Sequence, residues 1–468
     1  METLDWITRG VAVLRPKAGD EPAARSTRER LGATLRKKEE ALSPRVLRRT
    51  LEELQAIVDA RVSEVEGGRR AMAVARWYER AAPAERRDMW LLMSEQFVAD
   101  PAKVKKAQAQ YAAAVGTPDE AAAEVLYRRA TVSPRRRLLQ RFSANPGGIR
   151  FLVDMRAEMQ PHLKADRRLR ALDVEMEYMF STWFDVGFLD LQRISWDSPA
   201  SLIEKLIKYE AVHDIRSWSD VKNRLDSDRR CYGFFHPRLE GEPLIFVEVA
   251  LMDDMASGIT PLLDEGAAPA DLGRATTAIF YSISNTQTGL RGVSFGDSLI
   301  KRVVDTLKAE FPKLKCFATL SPIPGLRSWV GKNAGAMLEQ LAPKVRAELG
   351  RALDTEPTTE AVLAAIDKPL ELDAKSPVRA FLLGCAAQYL GRGIDDGKPL
   401  DPVARFHLGN GARVERLNWA GDPSAKGLKQ SYGLMVNYLY DLKRLDKHRT
   451  LLAQGEIPIS GAIEDLYF

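Results

Sequence analysis

The chain has 468 residues, 45% of them hydrophobic and 28% charged, with a formal net charge of +5. It is too long for one ordinary core, so two domains or more are expected. No run approaches the roughly eighteen apolar residues of a membrane span, and three scattered cysteines, Cys231, Cys316 and Cys385, argue for reduced core thiols rather than a disulfide framework. The small positive charge suits a protein that handles anions without requiring nucleic acid.

The N-terminal METLDWITRG has no apolar signal core, and Asp465-Leu466-Tyr467-Phe468 is not a peroxisomal tripeptide, so a cytoplasmic protein is expected. No Cys/His cluster has metal-ligand spacing, and no metal is expected. Up to about Glu66 the chain is rich in Arg, Lys, Glu and Ala, with a helical pattern from Leu42. From Ala71 to Leu172 the signal is almost entirely helical, with Trp77, Leu91, Leu92, Phe97, Leu138, Leu139 and Phe142 at helical spacings. This half reads as a helical bundle for assembly or domain packing. Arg135-Arg136-Arg137 and Arg167-Arg168 lack interleaved aromatics and read as solvated helix faces rather than a nucleic-acid patch.

Composition shifts between Phe180 and Ile194. After a helix at Leu202–Tyr209, Arg230–His236 and Pro243–Ala250 read as the strands of a hairpin. Thr276–Ser284 is β-branched and aromatic, as a strand requires. A loop with Gly289, Gly292 and Gly296 follows. Leu299, Ile300, Val303, Val304, Leu307 and Phe311 then mark one face of a helix that Pro312 ends. Cys316–Leu320 reads as a further strand, leading into the rigid turn Ser321-Pro-Ile-Pro-Gly325. The region 327–405 reads as a helical insertion, with helices at Ala336–Leu349, Glu360–Ile366 and Ala380–Leu390. Beyond it, His407–Trp419 reads as a strand and Tyr432–Gln454 as helical, which places Tyr440 on a helix.

Strand, glycine loop and helix offer backbone N–H groups and a helix N-terminus to a phosphate. The loop Arg291-Gly292-Val293-Ser294-Phe295-Gly296-Asp297 matches the Arg/Gln-x-x-Gly-x-Gly/Ala cradle of N-acetyltransferase-like proteins at its first and last positions, with Ser294 in place of the middle glycine. It is the candidate site for an acyl-CoA pyrophosphate, with Lys301 and Arg302 near it. Ser321, held by the proline-rich exit, is a candidate for positioning a substrate. No Gly-x-Ser-x-Gly elbow surrounds it, which argues against a hydrolase nucleophile. His407, before the turn Asn410-Gly411-Ala412, is a candidate proton donor with a pKa near neutral.

Four blocks together resemble the malonyl-CoA decarboxylase family: YSISNTQTGLRGVSFGDSLIKRVV, FATLSPIPGLRSW, FHLGNGARVERLNWAGDPSAKG and SYGLMVNYLY. The resemblance extends upstream to HPRLEGEPLIFVEVAL. It implies an α+β multidomain fold: an all-helical oligomerisation domain over residues 1–185, then an acetyltransferase-like (GNAT-like) α/β catalytic domain over 186–468 with a mixed central sheet and the helical insertion. It implies conversion of malonyl-CoA to acetyl-CoA and CO2 with neither metal nor organic cofactor, in a homo-oligomeric dimer or tetramer without nucleic-acid or membrane partners. The family's serine and histidine fall on Ser321 and His407, its CoA-phosphate loop on Arg291–Asp297, and a tyrosine near the acyl group on Tyr440. Arg291 departs from the usual glutamine and Ser294 from a frequent acidic residue, changes that keep the loop suited to phosphate. From the residues alone, an acyl-CoA-dependent acyltransferase and a non-catalytic acyl-CoA sensor remain alternative readings.

Overall fold

The computed structural model describes Leu31 and residues 42–293 and 299–468. The chain divides into two compact units. One takes the described residues up to Phe188 with His236–Glu242 and the described part of Gln287–Phe295. The other comprises Leu189–Phe235, Pro243–Thr286 and the described residues of Gly296–Phe468.

The first unit is helical: α1 (Pro44–Val58), α2 (Glu64–Arg80), α3 (Pro83–Gln96), α4 (Pro101–Ala114), α5 (Glu120–Thr131), α6 (Pro134–Ser143), α7 (Gly148–Met159) and α8 (Arg170–Trp183). Proline opens α1, α3, α4 and α6, where its missing N–H costs nothing. Ser43, Ser63, Asp100 and Ser133 cap α1, α2, α4 and α6 through their side chains. Trp77, Tyr78, Trp90, Phe142, Phe151 and Leu152 are buried between the helices. Tyr78 meets Phe151 edge-on at 5.3 Å and donates its hydroxyl to Glu158 at 2.8 Å.

The second unit carries a mixed sheet. Its elements are β1 (Asp190–Ile194), α9 (Ala200–Tyr209), α10 (Trp218–Arg224), β2 (Arg229–Phe235), β3 (Pro243–Met252), β4 (Thr277–Asn285), α11 (Leu299–Glu310), β5 (Cys316–Thr319) and β6 (Ser321–Pro322). Then come α12 (Leu326–Glu339), α13 (Pro343–Leu353), α14 (Thr359–Ile366), α15 (Pro377–Gly391), the small hairpin β7 (Ile394–Asp395) and β8 (Lys398–Pro399), α16 (Pro402–Gly409) and β9 (Arg413–Asn418). The unit ends with α17 (Ala425–Ser431), β10 (Met435–Leu439), α18 (Leu445–Ala453) and α19 (Gly461–Glu464). The strand order is β1-β2-β3-β4-β5-β10-β6, with β9 on β10. Pairing is antiparallel except between β4 and β5, the two strands that α11 connects. One face of the sheet buries Ile279, Tyr281, Ala318, Leu320 and Met435 together, and another cluster joins Ile194, Leu206, Cys231 and Phe246.

The hairpin and the strand–loop–helix–strand order follow the sequence reading. Three local readings do not. The apolar pattern read as one helix over Ala336–Leu349 is two, because Pro343 starts α13 after α12 has ended at Glu339. His407 lies in the last turn of helix α16, not on a strand, because Asp401 caps Val403 and Ala404 N–H and Pro402 occupies the first turn. Tyr440 follows strand β10 instead of sitting on a helix. β10 lies between β5 and β9 with Met435–Tyr438 buried on both faces, and such a run has no apolar/polar period that separates strand from helix.

Within this unit a buried guanidinium ties α10 to the sheet. Arg224 is fully buried; Nε donates to Asp220 at 2.7 Å, Nη1 to Glu248 at 3.1 Å and Nη2 to the His213 carbonyl at 2.9 Å. Burial, with the Glu210 carboxylate nearby, pushes the Glu248 carboxyl up to about 8. Removing one member of such a group leaves buried polar atoms without partners. Arg224→Met is expected to lower unfolding stability by about 3–5 kcal/mol, read from the urea midpoint; a change below about 1 kcal/mol would place the guanidinium outside the unit's stabilising core.

Candidate active site

Between β5, β6 and β10 the ladder has a gap. Leu439 pairs with Ala318, and Val436 and Met435 pair with Ser321 and Pro322, but the residues between them do not ladder. Two side chains fill the gap. Asn437 Nδ2 donates to the Thr319 carbonyl at 2.6 Å, and Thr319 Oγ1 accepts the Tyr438 backbone N–H at 3.1 Å. On its other side β10 slips by one residue against β9 between Asn437 and Tyr438, which adds local twist. The Asn437 amide is further held by Asn418, Arg416 and the Ala256 carbonyl.

Ser321, two residues beyond Thr319, thereby faces His407. Ser321 Oγ lies 3.3 Å from His407 Nε2 and donates to Thr319 Oγ1 at 2.8 Å. His407 Nδ1 lies 2.7 Å from the Tyr440 hydroxyl. The three residues that the sequence singles out, more than a hundred positions apart at their extremes, form one buried line, each no more than 5% exposed. The imidazole stacks on the Tyr438 ring with centroids 4.7 Å apart, and Phe406 meets it edge-on.

The helix that carries His407 is fixed at both ends. Asp401 holds the start of α16 and receives the Tyr389 hydroxyl at 3.3 Å, and burial raises the Asp401 carboxyl. At the other end Gly411 turns the chain at φ +86° with the Leu445 backbone against it, a place a side chain would not fit. The Gly411 carbonyl is 2.9 Å from His448 Nδ1. The turn read at Asn410-Gly411-Ala412 is present, and it terminates a helix.

Burial in this apolar pocket pulls the His407 imidazole down to about 3, not to the near-neutral value expected from the sequence. The Tyr440 phenol is pushed far above its ordinary value by the same cause, so it stays protonated. Tyr438, Thr319 and Asn437 escaped the sequence reading. The one signal for them was the alternation of Tyr438 with Tyr440, which is visible only once the segment is known to be a strand. The Tyr438 hydroxyl is buried without a partner among the described residues.

The glycine loop belongs to the helical unit as far as it is described. Arg291, Gly292 and Val293 are described; Ser294, Phe295, Gly296 and Asp297 lie outside the described residues. Arg156, buried in α7, pairs with Asp173 and Glu177 and donates Nη1 to the carbonyls of Gly289 and Arg291. Gly289 packs so closely on the Val153 carbonyl that a Cβ would sit 1.9 Å from it. Arg291 and Gly292 are exposed, with Gly292 at φ +83°, and Val293 is buried. Of the two cations noted near the loop, Lys301 is exposed, while Arg302 donates to the Leu189 carbonyl at 2.6 Å and lies over Phe234. Among the described residues no group of three or more His, Cys, Asp or Glu side chains is placed to hold a metal.

Comparison with known proteins gives a consistent picture. Residues 187–467 match the model of the malonyl-CoA decarboxylase C-terminal domain, and residues 97–184 that of the N-terminal domain. The chain is 38% identical to the mitochondrial malonyl-CoA decarboxylase of Anser anser anser over 328 residues, 67% of this chain and 65% of that protein. It is 38% identical to that of Mus musculus over 337 residues, 69% and 68% of the two chains. The match thus spans slightly under two thirds of the goose protein's length. The crystal structure of malonyl-CoA decarboxylase from Rhodopseudomonas palustris superposes with a TM-score of 0.76 at 40% identity, covering 90% of this chain and 99% of that one. The Cupriavidus metallidurans structure gives 0.74 at 43% identity, covering 90% and 100%.

The depressed histidine has a direct consequence. Its folded pKa lies below the unfolded value of about 6.5, so His407 costs the fold nothing above that pH and destabilises it progressively as pH falls towards about 3. In the free protein the His407 imidazole resonances are expected to stay unshifted between pH 8 and pH 5 by NMR. A midpoint near pH 6.5 would contradict the buried, neutral imidazole.

Proposed function

The chain belongs to the malonyl-CoA decarboxylase family, and from that premise we propose that it converts malonyl-CoA to acetyl-CoA and CO2. The observation that carries the reading is the buried line Ser321–His407–Tyr440. A malonyl thioester loses CO2 through a thioester enolate. The reaction requires a carboxylate held with the breaking C–C bond perpendicular to the thioester plane, donors for the enolate oxygen, and one proton for the α-carbon. Ser321 receives the carboxylate as hydrogen-bond acceptor of its hydroxyl. An ionised acceptor binds about twice as strongly as a neutral one, so the carboxylate draws this hydroxyl from Thr319.

The proton is the role of His407. The substrate's negative charge favours the imidazolium in a pocket where burial alone keeps the ring neutral. One proton is therefore taken up with the substrate. The second ring proton sits at Nδ1, where the Tyr440 hydroxyl turns to accept it. As the C–C bond breaks, its electron pair forms the enolate and CO2 leaves. Nε2 then gives its proton to the α-carbon, and the ring is neutral again. Hydrogen-bond donors fixed at the enolate oxygen are typically worth about 3 kcal/mol each. The route uses no metal and no organic cofactor, the CoA being part of the substrate. The loop beginning at Arg291 serves the CoA phosphates, supported by its exposed arginine and by the clamp of Arg156 on its carbonyls.

Incubation with malonyl-CoA alone is expected to release acetyl-CoA and CO2. His407→Asn should lose at least about 100-fold in kcat while keeping CoA binding, and Ser321→Ala should lose kcat more than it raises KM. Near-normal turnover by His407→Asn would remove the proton donor from the scheme. Turnover that depends on an added amine would make the protein a transferase instead.

Assembly and location belong to the same proposal. Helices α4 and α5 bury just Ala107 and Ala123, while Val115, Val125 and Leu126 are 47–56% exposed. This surface suits self-association into a homo-oligomer through the helical unit. No helix among the described residues is long and apolar enough to cross a membrane, and the three thiols are free, which supports a reducing compartment such as the cytoplasm. Light scattering is expected to give a multiple of 52.2 kDa for the wild type and a lower mass for Leu126→Asp; a monomeric wild type would overturn the assembly.

A further inference from the structure

We propose that Thr319 is a positioning residue that sets the direction of the hydrogen-bond chain through Ser321, and thereby keeps the hydrogen of the resting imidazole on Nε2 of His407. The tautomer assignment stands on geometry alone; its effect on turnover rests on the decarboxylase reading.

The argument starts at the ladder gap. Thr319 is fully buried, and its Oγ1 accepts two hydrogen bonds, from the Tyr438 backbone N–H at 3.1 Å and from Ser321 Oγ at 2.8 Å. A backbone N–H can only donate, so the direction of the first bond is fixed. Ser321 has one hydrogen, and that hydrogen points to Thr319. What Ser321 offers to His407, 3.3 Å away, is therefore a lone pair, and a lone pair calls for Nε2–H. At the far side Nδ1 must then accept, and the Tyr440 hydroxyl, 2.7 Å away and kept protonated by burial, donates to it. The chain then runs in one sense, set from the Thr319 end: Tyr440 O–H to Nδ1, Nε2–H to Ser321, Ser321 O–H to Thr319.

Without the Thr319 acceptor the Ser321 hydrogen has one other acceptor within reach among these groups, His407 Nε2. It would turn there, expel the hydrogen from Nε2 and move it to Nδ1, with the Tyr440 hydroxyl reversing to accept. The atom that faces the substrate would then begin each cycle as an acceptor blocked by serine. Thr319 also keeps its place by a second route, since Asn437 holds its carbonyl. Its hydroxyl is thus delivered by backbone that the sheet fixes, and its β-branched side chain has a restricted χ1.

The test uses the full chain with 15N-labelled histidine. Thr319→Val preserves shape and removes the acceptor; Thr319→Ser restores it. Imidazole 15N shifts are expected to report the Nε2–H tautomer in the wild type and in Thr319→Ser, and the Nδ1–H tautomer in Thr319→Val. In the double variant Thr319→Val/Ser321→Ala the competing hydroxyl is gone, and Nε2–H should return. Thr319→Ala serves in place of valine if circular dichroism shows that Thr319→Val does not fold. With malonyl-CoA, Thr319→Val should lose about five- to tenfold in kcat, the size of one neutral hydrogen bond, with KM little changed, and Thr319→Ser should recover it. An Nδ1–H wild type, or an acceptor-less variant that keeps Nε2–H and full kcat, would overturn the proposal. A wild type that shows Nε2–H but does not turn over malonyl-CoA would defeat the decarboxylase reading and leave the tautomer assignment standing.

Discussion

Much of the α/β unit depends on a place where a β-ladder is incomplete. Between Ala318–Leu439 and Ser321–Val436 the backbone groups of two neighbouring strands do not pair. A buried N–H or carbonyl left alone there costs about 1–3 kcal/mol, so the gap persists only because side chains close it. Thr319 accepts the Tyr438 N–H and Asn437 serves the Thr319 carbonyl. The same threonine receives the Ser321 hydroxyl. One residue thus satisfies a structural demand of the sheet and holds the Ser321 hydroxyl that faces His407.

The neighbourhood of His407 follows from what that gap admits. β10 is paired on both edges and buried from Met435 to Tyr438, which brings Tyr438 and Tyr440 against the imidazole and excludes water from it. A dry pocket holds the imidazole neutral in the free protein, and it strengthens any charge that a substrate brings in. In the proposed reaction, the proton-donating form is therefore a property of the complex and not of the resting site. Helix α16, capped by Asp401 and ended by Gly411, supplies the rigid mount.

The helical unit contributes more than bulk. Through Arg156 it holds the carbonyls of Gly289 and Arg291, and through Val153 it forbids a side chain at Gly289. A loop read from sequence as an appendage of a strand is, over its described residues, built into a bundle of helices far earlier in the chain. Arg156 carries no local signal of that task. It stands in an amphipathic helix among many arginines, and the carbonyls it holds are more than a hundred residues away.

The residue order by itself determined the elements whose cause is local. The hairpin of β2 and β3, the strand β4, the amphipathic helix α11 and the proline-limited turn after Ser321 all rest on period, branching and turn chemistry within a few residues. The blocks around Ser321, His407 and Tyr440 also marked those three side chains before any fold was known. The type of element carrying His407 and Tyr440 was misread, because a capped two-turn helix and a strand buried on both faces leave no periodic trace. Tertiary structure alone decided that the three meet in one line, that burial lowers the imidazole instead of leaving it near neutral, and that Thr319 and Asn437 complete the ladder. Those outcomes depend on distances between strands remote in sequence and on the exclusion of water between them, and neither is a property of any single stretch of chain.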